Sequence, residues 1–166
     1  MPKKPTMPRI ADASPAAFAA RVVQLAAART GLERPEDPLS VKLGQDAEAV
    51  ASFAVGGEAD DSVAEKLERV SVAVYGSTRP PADLRSSVCV VLLAAVARIK
   101  IGSGSELTTS EVAAASGLDA ASVRRLSRSG ALSRGAAGVT PASASSFLES
   151  RRLAAEAVRV EGSMPA

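Results

Sequence analysis

The side chains best placed to do chemistry lie in one stretch, LTTSEVAAASGLDAASVRRLSRSGALSRG, which begins at Leu107. Arg124, Arg125, Arg128 and Arg134 stand there against the single acid Asp119, a local charge of +3 over residues 118–134 in a chain whose formal charge is only +2. Arginine presents a planar fork of donors that bonds guanine or phosphate bidentately, and serine hydroxyls between such arginines add phosphate contacts. Thr109, Ser122, Arg124, Arg125, Arg128 and Arg134 are therefore the candidate DNA-binding residues. Catalysis has few residues to work with. Histidine is absent, and the lone cysteine, Cys89, sits in the most apolar stretch of the chain, where a reduced core residue is expected. Most general bases, thiol nucleophiles and zinc sites are thereby removed. No phosphate loop of the G-x-x-x-x-G-K-[ST] kind and no dinucleotide fingerprint occurs. The pairs Glu65 with Glu68 and Asp60 with Asp61 fit a capped, exposed helix better than a metal site. An enzyme is the least expected class, and neither cofactor nor metal is expected.

Arginines read DNA only when an element holds them on one outward stripe. Thr108 or Thr109 caps a first helix with Val112 and Ala115 facing inward, Gly117 allows a tight turn, and Leu118 plugs the space between two helices. Asp119 caps the second helix, on which Val123 and Leu126 point inward and Ser122, Arg124, Arg125 and Arg128 point outward, until Gly130 ends it. In a helix-turn-helix the second helix enters the major groove, with early residues at base edges and flanking residues at phosphates.

The order of these residues resembles the excisionase and MerR-type helix-turn-helix family. The match rests on Leu107-Thr108, Glu111-Val112-Ala113, Gly117-Leu118, Ser122-Val123-Arg124-Arg125-Leu126 and Ser129-Gly130-Ala131-Leu132. Val139-Thr140-Pro141 and Phe147-Leu148 are similar to the family's helix after the wing, so the resemblance spans residues 107–148, about a quarter of the chain. It implies a DNA-binding role with residues 119–129 as the recognition helix. The family's wing is a hairpin with basic and aromatic residues. Here only Ser133-Arg134-Gly135-Ala136-Ala137-Gly138 fills that place, so a short or missing wing is expected, and a dimer that presents two recognition helices would compensate.

The remaining elements follow from composition and punctuation. Ala and Val dominate an apolar fraction of 46%, aromatics make up 2%, and such a chain favours closely packed helices over a β-sandwich. An all-α fold is expected, with an N-terminal bundle of about four helices (residues 14–101), a linker (102–106) and a helix-turn-helix unit with a final helix (107–160). Basic residues 1–13, with Lys3, Lys4 and Arg9, and residues 161–166 are expected to be disordered tails. Within the bundle, Ser14-Pro15 starts a helix that Gly31 stops, residues 32–38 form a loop, and residues 39–55 form the second helix. Asp60-Asp61-Ser62 caps a third, with Val63, Leu67, Val70 and Val74 on one face and Tyr75 packing at its end. Pro80 and Pro81 open a fourth over residues 82–100, apolar on every side, with Arg98 and Lys100 at the C-terminal end of its dipole. After Pro141 a last helix runs through Phe147, Leu148 and Leu153 towards Val160, with Arg151 and Arg152 facing solvent.

The partner these features imply is double-stranded DNA, with a homodimer or a protein partner formed through the N-terminal bundle. The longest apolar run, residues 88–97, is too short to span a bilayer, so no membrane partner is expected, and a cytoplasmic, nucleoid-associated location is. A bacterial or phage transcriptional regulator fits this description best. The alternative is a non-catalytic interaction or assembly adaptor, of phage or mobile-element origin, that uses the helix-turn-helix to dock protein.

Overall fold

Proline and small polar residues fix where the helices begin. The computed structural model describes residues 14–31 and 36–162, with backbone alone over residues 153–162. Among these residues the fold is all-helical: α1 (Pro15–Thr30), α2 (Pro38–Ala54), α3 (Val63–Tyr75), α4 (Ser87–Ser103), α5 (Thr109–Ser116), α6 (Ala120–Arg128) and α7 (Pro141–Gly162). The Ser14 side chain accepts from Ala17 N–H and Asp37 from Leu39 N–H, each just ahead of a first-turn proline. Gly31, Gly76, Gly104 and Gly117 close α1, α3, α4 and α5 in the left-handed conformation that glycine adopts without strain. The expected tail over residues 1–13, residues 32–35 of the expected loop, residues 163–166, and the side chains of Leu153 and Val160 lie outside the described residues.

Three expectations are corrected. The fourth helix starts at Ser87, not at residue 82, because the Asp83 carboxylate accepts from Arg85 N–H at 3.0 Å and holds a turn, and Ser86 takes the cap. At its other end Gly102 and Ser103, read as connector, are the last turn of α4. Glu161 and Gly162, read as tail, lie in α7. Arg98 also acts elsewhere than on its own helix dipole: its guanidinium lies 4.4 Å from the Phe53 ring centroid and donates to the Phe53 carbonyl and, at 3.0 Å, to that of Gly57. It ties α4 to the end of α2, and burial lowers its pKa.

Helix α4 is the centre of the molecule. From Val88 to Ala95 every residue is buried, as is Ala97, so its surface is covered on all sides. One flank packs with Val22, Val50, Leu67 and Val70 of α1 to α3. Towards its C-terminus Ala97 and Ile101 join a second core built on Leu107, Val112, Val123, Leu132 and Val139. The two cores touch, since Ala114 of α5 belongs to the first and Leu84 and Ala115 pack against both. Alanine at these crossings lets backbones approach closely, which replaces the area that large aromatics would bury.

An ion pair between half-buried Lys100 and buried Glu111 pins α5 to α4. Lys100 Nζ reaches both oxygens of Glu111 at 2.8 and 2.9 Å, and Glu111 is 6% exposed. The same carboxylate accepts from Thr108 N–H at 2.8 Å, and Thr108 Oγ1 accepts from Glu111 N–H at 3.2 Å, which completes a capping box. Glu111→Ala removes cap and pair together and strands Lys100, so it is expected to cost about 2–3 kcal/mol, read as a lower urea midpoint with an unchanged slope.

The Cys89 thiol donates to the Tyr75 hydroxyl at 2.9 Å where α3 meets α4. Burial pushes Tyr75 from 10.0 up to about 12, and burial also pushes the Cys89 thiol up. Tyr75 is the only tyrosine and tryptophan is absent, so phenolate absorbance reports it alone. The native chain should titrate near 12 and the unfolded chain near 10. Because the folded value is the higher one, Tyr75's contribution to stability is complete below the unfolded value and is lost as pH rises to the folded one. Tyr75→Phe should flatten that part of the pH profile.

Candidate nucleic-acid interface

A nine-residue helix with three arginines and a single fully buried side chain, Val123, does not stand alone, and its neighbours hold it. Asp119 caps it by accepting from Ser122 N–H at 2.6 Å. Val123 is buried in the second core, with Leu126 and Leu118 packed against it. Past its end, Leu132 N–H donates to the Leu126 carbonyl at 3.2 Å, and the Leu132 side chain plugs the same core.

Steps of 100° place Ala121, Arg124, Arg125 and Arg128 on the face opposite Val123 and Leu126. All four are exposed. Arg124 and Arg128 are one turn apart on that face, and among the described residues neither they nor Arg134 forms an ion pair. Arg125 differs: its Nη2 donates to Ser122 Oγ at 2.9 Å, and Ser122 is half-buried on the flank of the helix. Thr109 is half-buried at the first position of α5, whose cap is Thr108. The structure thus brings Ser122 and Arg125 into contact and sets Arg124 and Arg128 beside them. Thr109 and Arg134 sit on other elements and are bonded to none of these.

Arg134 stands exposed on a minimal hairpin, bridged to Val139, which is bridged in turn to Leu107. Gly135 N–H donates to the Gly138 carbonyl at 2.8 Å. The Glu106 carboxylate accepts from the amides of Ala137 at 2.5 Å and Gly138 at 2.7 Å. Glu106 thus occupies both of these amide donors of the turn, and its charge opposes an anion there. A lone acid before a capping threonine has no local signature, so the role of Glu106 is not legible in the sequence.

Arg151 was also missed as a neighbour of this site. It is exposed, but its Nε donates to the Ser116 carbonyl at 3.0 Å and its guanidinium lies 5.9 Å from the Phe147 ring centroid. It lines a crevice of about 450 Å³ between α6 and α7, floored by Leu118, Leu126 and Phe147 and shared with Ser122 and Arg125. The signal was the spacing of Phe147 and Arg151, four residues apart and so on one helix face. Arg152 instead pairs with Glu149 at 2.6 Å.

Comparison with protein-family models, with curated proteins and with solved structures returns no match to this chain. No helix among the described residues is long and apolar enough to cross a membrane.

Gly138 lies against the Leu107 backbone, and a Cβ there would collide with the Leu107 carbonyl. Backbone cannot swing aside as a side chain does. Gly138→Ala is therefore expected to break the Leu107–Val139 bridge and cost about 1–3 kcal/mol. Ala136→Ser, in the same turn, should leave the thermal midpoint near wild type.

Proposed function

We propose that this chain is a sequence-specific DNA-binding protein, a bacterial or phage transcriptional regulator, in which α5, the turn at Gly117 and α6 form a helix-turn-helix and α6 enters the major groove. The observation that carries this reading is the exposed arginine stripe of α6. Arg124 and Arg128 are exposed and form no ion pair among the described residues. Three like charges on nine residues repel one another, and the cost is offset when phosphates and guanine edges meet them. The order of cap, turn, plug and arginines resembles the excisionase and MerR-type family and supports the same reading. The short hairpin leaves little wing to grip the backbone, which favours a homodimer bound through two α6 helices, acting in the cytoplasm on the nucleoid.

A second reading, an adaptor that docks protein, is favoured by a different observation. The N-terminal helices expose Leu39 at 70%, Val41 at 49% and Val72 at 42%, apolar surface a partner would cover. The two readings place their contacts on different surfaces and are separable.

Titration of the full chain against random duplex DNA and against the DNA upstream of its own coding region, at two salt concentrations, tests the first reading. Tighter, salt-sensitive binding to the upstream fragment is expected; absence of binding to either duplex at low salt by folded protein overturns it. On a preferred site, Arg124→Ala and Arg128→Ala should each cost roughly 1–3 kcal/mol and relax preference at one base pair.

A further inference from the structure

The crevice between α6 and α7 is distinct from the outward stripe. Its floor is apolar, from Leu118, Leu126 and Phe147, and its rim includes two guanidinium groups from different helices, Arg125 and Arg151, with no carboxylate among the lining residues. Each is held by the fold. Ser122 Oγ accepts from Arg125 Nη2 and draws that side chain back along α6 towards the crevice. The Ser116 carbonyl accepts from Arg151 Nε, and the Phe147 ring lies under the group. An arginine has five N–H donors, so one bond of this kind fixes the plane of the fork and leaves the others to bind a ligand. Two exposed cations that line one open crevice with no carboxylate among its lining repel one another, and an anion bound there would offset that repulsion.

We propose that this rim is the seat of a single DNA backbone phosphate, bound jointly by Arg125 and Arg151, so that sequence discrimination falls to Arg124 and Arg128. The inference rests on α6 lying in the major groove. There the sugar-phosphate backbone runs along the flanks of the helix, and the crevice is on such a flank while Arg124 and Arg128 face the base edges. The seat supplies on the α7 side the backbone contact that the short hairpin, with its Glu106 carboxylate, does not.

The test uses the full chain, a preferred duplex selected from a randomised pool, and a scrambled duplex of equal length. Arg125→Gln and Arg151→Gln should each weaken binding roughly tenfold on both duplexes, leaving base preference intact, whereas Arg124→Gln should lose its affinity mainly on the selected one. The double variant should flatten the dependence of log affinity on log salt by about 0.9, the value for one phosphate. Circular dichroism confirms that each variant is folded. A loss of about 1.8 in slope would mean two separate phosphates and overturn the shared seat. So would an Arg125→Gln protein that relaxes preference at one base pair, or an Arg151→Gln protein indistinguishable from wild type. If the wild-type chain shows no salt-dependent binding to any duplex, the DNA-binding reading itself fails and the seat with it.

Discussion

Helix α4 must be covered on every side, and the rest of the molecule is arranged to do so. A half-exposed helix needs one packed face; a helix buried from Val88 to Ala95 and again at Ala97 needs neighbours all round. Helices α1 to α3 cover part of it, and α5, with the second core behind it, covers the remainder. The apolar demand of one helix therefore joins the N-terminal bundle to the segment with the arginines. The Lys100–Glu111 pair sharpens that joint, because the buried Glu111 carboxylate is tolerated only against a partner such as the half-buried Lys100. Glu111 also closes the cap of α5, so the start of that helix and its docking on α4 depend on the same carboxylate.

From this joint the geometry passes to α6. Gly117 turns the chain, Asp119 restarts it, and Val123 locks the new helix into the second core, which leaves its remaining circumference to polar residues. A helix so charged on its outer face is held by its neighbours more than by its own propensity. Its exposed arginines form a rigid array rather than a mobile tail. A rigid array suits base reading, because side chains presented from a fixed helix lose less entropy on binding than those of a segment that must order first. Helix α7 packs on α4 and α5, sends Phe147 against the core that holds α6, and adds Arg151 to the crevice, while the hairpin adds Arg134.

Much of this was legible in the residues because helix ends are local. Ser14-Pro15 and Asp119 each satisfy amide groups within three residues, so their effect can be read without knowing the fold, while Asp37, expected in a loop, and Glu111, not expected to complete the cap of α5, obey the same local rule. The start of α4 was misplaced because Asp83 and Ser86 both offer turn or cap chemistry after the prolines, and local rules do not decide between them. The partners of Arg98, Glu106 and Arg151 were not legible for another reason. Their acceptors or donors are backbone groups 31 to 45 residues away, and backbone groups have no sequence signature. Within the candidate site the outward stripe and the three-residue spacing of Ser122 and Arg125 followed from helical period alone, while the crevice shared with Arg151 required the packing of α7.

We propose that α6 and its flank, not the N-terminal bundle, meet the partner, and that the partner is duplex DNA. Amide chemical-shift mapping of the full chain during addition of a short duplex tests both parts in one experiment. Perturbations are expected on α6, on Arg134 and on the part of α7 around Arg151, weakening as salt is raised, with the amides of α2 and α3 near Leu39 and Val72 unmoved. Perturbations centred on the exposed aliphatic residues of α2 and α3, or no perturbation of α6 at low salt, would contradict it.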